Sequence, residues 1–268
     1  MADLSIDELV ERSGAVRLDD LDWAEAAKVG VTDAEARVLR YMADTETHTI
    51  IYMRDLLAGY SARDPEITAF LSVWVYEELW HGRAIDKLLA ATGRPVNRER
   101  SAEVVASANV QELLEAILSF AAAWMTPRFI AVHMAWGALN ELAAAASYNA
   151  LARQTENPVL RVLCRRISQQ ERKHFAFYYQ QARKRMVESR LARRLTHLAL
   201  HRFWGPVGDG VAGRGNLEFV VRTLFSDPTS WSDLERAEER IRQLPGLEDF
   251  HELTGQLGAL LPVVPSAA

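Results

Sequence analysis

Two short motifs in the sequence combine residue types that bind metal ions. Both have the form Glu-x-x-His: one is Glu78 with His81, and the other is Glu171 with His174. Residues three apart lie on one face of an α-helix, so each motif offers a carboxylate and an imidazole to the same ion. A third match, at residues 248–251, has no carboxylate partner at a comparable spacing, and we interpret it as incidental.

Four glutamates occupy positions that would ordinarily be apolar. Each of four predicted helices has a stripe of apolar residues spaced three and four apart, and one glutamate interrupts each stripe: Glu46, Glu78, Glu141 and Glu171. Buried carboxylates are strongly disfavoured unless they are paired or bound to a metal. The stripes contain no Arg or Lys that would neutralise them. The four carboxylates and two imidazoles therefore predict a buried cation site, and their negative charges would balance two divalent ions.

The elements that must position these ligands are four long helices. A capping box at Thr32 opens the first, and an N-cap residue followed by proline opens the second at Asp64 and the fourth at Asn157. The predicted bounds are residues 32–58, 64–92, 126–157 and 157–188. At 1.5 Å per residue, each glutamate lies about 18 to 23 Å from the turn of its hairpin. We therefore expect all four glutamates at one depth near the middle of a bundle.

The expected fold is all-α: a four-helix bundle with one long crossover and a C-terminal helical extension. The crossover would contain a shorter helix over residues 107–124. The bundle, with an N-terminal lead-in, would take residues 1–203. Residues 204–268 would form an extension packed on it, with a glycine-rich loop followed by one or two helices around residues 231–262.

The composition is that of an ordinary globular protein. Of the 268 residues, 49% are apolar and 25% are charged, which excludes disordered, collagen-like and low-complexity classes. We expect no membrane-spanning segment, because the apolar stretch at residues 129–139 is shorter than the roughly 18 residues required and contains His133. An acidic N-terminal start and a single cysteine, Cys164, favour the cytoplasm over secretion.

The net charge of −5 is unevenly distributed along the chain. Residues 157–202 contain twelve Lys and Arg against two acidic residues, so the remainder of the chain is strongly acidic. This basic segment is either a solvated helix face or a docking surface for an acidic partner. We expect no nucleic-acid partner.

Histidines outside the two motifs are weaker candidates for chemistry. His197 and His201 are four residues apart on a predicted helix and can share a metal ion, but no third ligand is apparent in the sequence. His48 and His133 are interpreted as satisfied polar residues.

The segments around the two motifs carry a family resemblance. Residues 74–82 read W-V-Y-E-E-L-W-H-G, and residues 160–174 contain C-x-x-I-x-x-x-E-x-x-H. These segments, with the Thr45-Glu46 pair and residues 141–153, resemble the four ligand helices of the soluble acyl-acyl-carrier-protein desaturase family, which belongs to the ferritin-like superfamily. The likeness covers about residues 32–190.

The resemblance implies a ligand set for two iron ions, with manganese as an alternative metal. Its members are the bridging Glu78 and Glu171, Glu46 with His81 on one side, and Glu141 with His174 on the other. Two positions depart from the family. Ala144 stands where the family has a threonine near the oxygen site, and Gln170 stands where it has an acidic residue. These two are candidates to alter proton delivery and electron entry.

The expected activity is oxygen-dependent desaturation of an acyl chain carried by acyl carrier protein. Electrons would come from a ferredoxin-like donor, since the sequence has no flavin or nicotinamide fingerprint. The basic segment suits either acidic partner, and the resemblance also implies a homodimer. Two alternatives stay open. One is hydroxylation or N-oxygenation of a small metabolite, which Ala144 favours, and the other is ferritin-like iron or manganese binding without an organic substrate.

Overall fold

The computed structural model describes residues 5–96, 126–206, 208 and 213–265, and within these residues the chain is helical and has no strand. The α-helices of these residues are α1 (Ile6–Glu11), α2 (Trp23–Val29), α3 (Asp33–Ala58), α4 (Pro65–Ala91), α5 (Phe129–Gln154), α6 (Pro158–Glu188), α7 (Arg190–Phe203), α8 (Arg214–Phe225), α9 (Pro228–Arg242) and α10 (Glu252–Gly258). A 3-10 turn at Tyr60–Arg63 links α3 to α4. The all-α fold class is confirmed.

Helices α3 to α6 are the four long helices that the sequence predicts, with ends within three residues of the expected bounds. Their start signals work as expected. The Thr32 hydroxyl accepts a hydrogen bond from the Glu35 amide, and the Glu35 carboxylate accepts one from the Thr32 amide. Asp64 and Asn157 cap α4 and α6, each followed by a proline in the first turn. The crossover helix expected at residues 107–124, like the crossover itself, lies outside the described residues.

The bundle is held by apolar packing between α3 and α4, between α5 and α6, and between α4 and α6. Phe70 and Phe177 stack with ring centroids 4.1 Å apart, and Tyr178 meets Phe70 edge-on at 4.7 Å. A glycine permits the close approach of α5 and α6, because a Cβ at Gly137 would lie 2.5 Å from the Tyr178 ring. This contact places the Tyr178 ring close to the backbone of α5.

Helix α5 is apolar enough to require an explanation. By length and composition it meets the criterion for a membrane-crossing helix, with a mean hydropathy of 1.2 over its most apolar window, contrary to the expectation from residues 129–139. Of that window, 61% is buried inside the protein. The helix packs against α6 on one side and against helices of the C-terminal extension on the other. Its apolar character is thus accounted for by its place in the core.

The predicted apolar stripe of α3, which continues through Ile50, Met53 and Leu57, is wrong at two positions of its second half. On α3, Leu39 and Met42 are buried, but Ile50 and Leu57 are 41% and 40% exposed. No element in the described part of the chain packs over these two side chains. The periodicity therefore identified the inward face of α3 correctly at Leu39 and Met42, but within the described residues Ile50 and Leu57 are not part of the core.

The C-terminal helices pack on the bundle. Helix α8 packs against α3, whereas α7 and α9 both pack against α5. Arg153 pairs with Asp233 at 2.7 Å, and the Trp204 indole donates to Asn140 at 3.1 Å. Helices α9 and α10 match the expectation of helices around residues 231–262, but α8 was not predicted. Its N-cap is Gly213, which has no side chain to cap the helix and so gives no start signal.

Candidate metal centre

The structure brings the six predicted ligands together at mid-bundle. Each of α3 and α5 contributes one glutamate, and each of α4 and α6 contributes a glutamate and a histidine one turn apart. None of the six is more than 6% exposed. Their atoms form two overlapping sets, which we call the His81 set (Glu46, Glu78, His81 and Glu171) and the His174 set (Glu78, Glu141, Glu171 and His174). Within each set, the ligand atoms lie within 4.8 Å of one another.

The His81 set converges on one ring nitrogen. Nδ1 of His81 lies 3.2 Å from Oε1 of Glu171, 3.6 Å from Oε2 of Glu46 and 4.0 Å from Oε1 of Glu78. Two atoms bound to one ion at about 2.1 Å lie roughly 3 to 3.5 Å apart, depending on the coordination geometry. The observed separations are close to this range.

The His174 set repeats this geometry. Nδ1 of His174 lies 3.1 Å from Oε1 of Glu78, 3.3 Å from Oε2 of Glu141 and 3.3 Å from Oε2 of Glu171. Glu171 therefore presents Oε1 to one histidine and Oε2 to the other, which is the arrangement that a bridging carboxylate requires.

The unsatisfied atoms at the centre test whether a cation fits. Oε1 of Glu78, Nδ1 of His81 and Oε1 of Glu171 are buried and have no hydrogen-bond partner in the described part of the chain. Buried polar atoms without partners cost free energy. A cation among them would satisfy all three, and carboxylates with imidazoles suit several divalent metals. The residues present therefore fit a metal, while metal binding by these six residues stays a prediction.

The electrostatics of the centre lead to the same requirement. Burial raises the pKa of Glu78 and of Glu141 well above the ordinary value, and the Glu171 carboxylate raises both further. Burial lowers the pKa of His81 and of His174, but the surrounding carboxylates outweigh it and hold both pKa values well above the ordinary value. The cluster thus needs positive charge, which either bound protons or metal ions can supply.

Two aromatic side chains orient the glutamates that belong to only one set. The Trp74 indole donates to Oε1 of Glu141 at 2.8 Å, and the Tyr148 hydroxyl donates to Oε1 of Glu46. In both cases the second carboxylate oxygen, Oε2, is left facing a histidine. These outer partners fix the carboxylates in the orientation that metal binding needs.

The outer nitrogens of both histidines are held by a polar network. Nε2 of His81 pairs with Oε1 of Gln170 at 3.0 Å, and Nε2 of His174 pairs with Oε2 of Glu77 at 2.7 Å. Gln170 and the Gly14 amide both donate to Oε1 of Glu77, at 2.8 and 2.9 Å. Burial raises the pKa of Glu77, but the hydrogen bonds from His174 and the Gly14 amide, together with the charges of His174 and His81, outweigh it and leave that pKa lowered. Glu77 is thus an acceptor that directs Nδ1 of His174 towards the centre.

Sequence reasoning identified the six ligands and Gln170 but assigned no role to Trp74, Glu77 or Tyr148. A signal was present for each. Buried Trp and Tyr side chains usually need a hydrogen-bond partner, and Trp74 and Tyr148 both occupy predicted interior stripes. Glu77 is the first glutamate of the W-V-Y-E-E motif. Which side chain of the centre each of the three contacts depends on the packing between helices.

Two histidines interpreted as satisfied polar residues lie outside the ligand sets. Nδ1 of His133 shares a hydrogen bond of 2.8 Å with the Ser61 hydroxyl. Burial lowers the pKa of His133 to about 3, so the ring is neutral at physiological pH. His48 lines the cavity described next.

A cavity of about 330 Å³ adjoins the centre. Its volume falls within the range of about 300 to 1,000 Å³ that is usual for ligand pockets. Ala144, the first departure from the family pattern, lies in its wall beside the glutamates of the centre. Apolar residues of α8 and α10 line it as well: Leu217, Val220, Val221, Phe225, Leu253 and Leu257. The C-terminal extension therefore supplies part of the wall of the site.

The comparison with known proteins agrees with this geometry. No curated protein sequence is significantly similar to the chain. The profile of one family, described as fatty acid desaturase, matches residues 43–197. That span is more than half of the chain, and it contains all six residues of the centre together with Trp74, Glu77, Tyr148 and Gln170. The chain belongs to the fatty acid desaturase family.

Proposed function

We propose that the protein is an oxygen-dependent di-iron desaturase that acts on an acyl chain carried by acyl carrier protein. The observation that supports this most strongly is the pair of ligand sets that share Glu78 and Glu171 and adjoin an apolar-walled cavity. Family membership supports desaturase or related oxidase chemistry. The metal, the carrier and the electron donor are the parts that this proposal adds.

In the proposed enzyme the two sets would hold one ion each. Glu46 and His81 would complete one side, Glu141 and His174 the other, and both ions would share the carboxylates of Glu78 and Glu171. Iron suits these carboxylate and imidazole ligands, and manganese can occupy the same site. Bound iron would supply the activation of oxygen, which amino-acid side chains do not provide.

The reaction fixes what else the enzyme must receive. Desaturation removes two hydrogens from adjacent carbons of the acyl chain and forms one carbon–carbon double bond. One O₂ accepts the two electrons and two protons of the removed hydrogens together with two more electrons and two more protons, and leaves as two water molecules; the other electron pair of the two C–H bonds forms the double bond. The additional electrons require an external reductant, which we propose to be a ferredoxin-like protein.

The residues of the chain would position the substrate and exclude water. The apolar wall formed by α8 and α10 provides the surface on which an acyl chain can lie against the glutamates of the centre. Trp74 and Tyr148 would keep Glu141 and Glu46 in their metal-facing orientations during turnover. A dry, fixed site favours oxidation of the bound chain over side reactions.

A basic surface on α6 and α7 supports an acidic macromolecular partner. Some basic side chains of the segment are engaged within the protein: Arg166 pairs with Asp20 at 2.7 Å, and Arg185 pairs with Asp64 at 2.6 Å. Others point outward: Arg165, Arg172, Arg183, Lys184, Arg190, Arg194 and Arg202. Acyl carrier protein and ferredoxin are both acidic, and we propose that this surface receives the carrier.

A second candidate function is hydroxylation or N-oxygenation of a small metabolite at the same centre. Ala144 favours it, because the structure places this alanine in the cavity wall where the resembled family has a threonine near the oxygen site. Loss of that hydroxyl would change how protons reach the oxygen site without changing the ligands.

One experiment separates these functions. The protein is loaded with Fe(II) anaerobically, supplied with reduced ferredoxin and a series of acyl carrier proteins bearing saturated chains, and exposed to oxygen. Mass spectrometry of the released chains should find a loss of two hydrogens. A gain of one oxygen would instead indicate the second function. Binding of fewer than two irons per chain would contradict the di-iron proposal itself.

A further inference from the structure

A second group of metal-binding side chains lies outside the bundle centre. His197 and His201 are one turn apart on α7, and the fold brings Asp249 against them from the segment between α9 and α10. One ligand atom of each residue lies within 4.8 Å of the other two. We propose that these three side chains form a separate metal site that takes a divalent transition-metal ion of the zinc type.

The distances within this cluster match those between ligands of one ion. Nε2 of His197 and Nε2 of His201 each lie 3.4 Å from Oδ1 of Asp249. In a tetrahedral zinc site with ligands at about 2.0 to 2.1 Å, neighbouring ligand atoms lie roughly 3.3 to 3.4 Å apart. Two imidazoles and one carboxylate are a common zinc ligand set, with water in the remaining position.

A fourth residue prepares one of the histidines for an ion. Oε1 of Glu252 lies 2.6 Å from Nδ1 of His201, and a carboxylate at this position favours a ring proton on Nδ1. In a neutral ring this leaves Nε2 as an acceptor. That Nε2 is buried, has no hydrogen-bond partner within the described residues and faces the Asp249 carboxylate. Two facing acceptors repel each other. A cation between them would be coordinated by both and would remove this repulsion.

The arrangement of the two rings also favours an ion. The imidazoles of His197 and His201 stack with centroids 4.0 Å apart and planes 28° apart. Two protonated rings at this separation would repel each other. Two neutral rings avoid that repulsion, and the Nε2 atoms of both lie 3.4 Å from the same Asp249 oxygen.

The position of the cluster indicates what the ion does. Trp204 directly follows α7, whereas Leu253 and Leu257 lie on α10, and all three line the cavity beside the bundle centre. An ion held by His197, His201 and Asp249 would link α7 to the segment that leads into α10. The site would therefore stiffen the part of the cavity wall that the C-terminal extension provides, whatever reaction the centre performs.

Zinc binding tests the proposal directly. Full-length protein is stripped of metal, titrated with Zn²⁺ at neutral pH by calorimetry, and assayed for bound zinc after gel filtration. The wild type should bind one Zn²⁺ per chain more than the His197→Ala/His201→Ala variant. The bundle centre is intact in both proteins, so its own metal does not contribute to the difference. Hydrogen exchange of α10 should slow on zinc addition only in the wild type.

Two single substitutions and one control keep the test decisive if the double variant fails to fold. The Asp249 side chain is 70% exposed, so Asp249→Asn should leave the fold intact and still weaken the additional zinc site. Glu252→Gln, which alters an outer partner, should weaken it by about 10- to 100-fold. His251→Ala removes a neighbouring exposed histidine that contacts Glu238 instead, and it should change nothing. Equal zinc binding by the wild type and the ligand variants, or an equal loss in His251→Ala, would overturn the proposal.

Discussion

The bundle centre and the His197/His201/Asp249 cluster use the same side-chain chemistry in opposite surroundings. At the centre every ligand is buried, and outer partners such as Trp74 and Glu77 hold the remaining polar atoms. In the surface cluster the Asp249 carboxylate is largely exposed, so water can hydrogen-bond to the oxygen atoms that the protein leaves unpaired. A charge inside an apolar stripe is anomalous and demands a partner, whereas the same charge at the surface is ordinary. Burial is therefore what allows a candidate metal site to be recognised from a sequence.

The two regions also differ in how their ligands are supplied. The ligands of the centre all come from long helices whose ends fix the depth of each residue. The surface cluster joins a helix to a non-helical segment more than 40 residues later in the chain. Because a helix is regular, the position of each residue along it can be calculated from where the helix ends. The path of a connecting segment has no such regularity and cannot be calculated in this way.

The largest expected effect is on the shared ligand. In Glu171→Ala both ligand sets lose the carboxylate that faces both histidines, so the variant should bind no iron at the centre while circular dichroism remains helical. Iron per chain after anaerobic loading measures this. Glu188→Ala, at the exposed end of the same helix, is the matched control and should bind as the wild type does. If Glu171→Ala keeps two irons, the bridging assignment is wrong. Zinc binding by the His197/His201/Asp249 cluster should be unaffected.

The pH dependence of metal binding probes the burial at the centre. The pKa values of His81, His174, Glu78 and Glu141 are all raised, so without metal these groups hold protons that a metal must displace. Affinity should therefore rise with pH by about tenfold per pH unit for each proton released, until the pH exceeds the raised pKa values. Calorimetry in two buffers of different ionisation enthalpy counts the protons. Release of none would contradict the electrostatic description.

Removal of an outer partner should have a smaller effect than removal of a ligand. Tyr148→Phe keeps the ring and Trp74→Phe keeps a smaller aromatic ring, and they delete the donors to Glu46 and Glu141; each should weaken metal binding by about 10- to 100-fold. Competition with a chromophoric chelator gives the affinities. Tyr76→Phe, on the exposed face of α4, is the control. Unchanged affinity in both aromatic variants would remove the orienting role that we assign to them.

The smallest expected effect concerns the cavity wall supplied by the extension. Val220→Phe adds volume to the wall of the cavity, so the enzyme should come to prefer a shorter acyl chain. The ratio of kcat/KM for the shorter chain to kcat/KM for the longer chain should rise by about tenfold. Val187→Phe, on an exposed position of α6, controls for the added ring. Product analysis with a mixed chain-length pool measures the shift. An unchanged preference would indicate that the extension packs on the bundle without shaping the site.

Much of the bundle could be predicted from the sequence because its information is local. Caps at Thr32, Asp64 and Asn157 set where helices begin, and the period of the apolar stripes set which residues face inward. The exposed Ile50 and the unpredicted helix α8 mark the limits of that reasoning. A stripe does not reveal how far a neighbouring helix extends, and a helix whose N-cap is glycine gives no side-chain start signal.

The sequence by itself identified the six buried residues of the centre as candidate ligands, because four carboxylates within apolar stripes have few physical alternatives to a cation. Only the tertiary structure decided which atoms meet: that Glu171 faces both histidines, that Trp74 and Tyr148 reach the outer glutamates, and that the extension walls the cavity. It also supplied Asp249, from the very motif that we interpreted as incidental, as the third member of the surface cluster. Periodicity encodes the face of one helix, whereas contacts between distant segments depend on loop paths and on side-chain packing that no local pattern records.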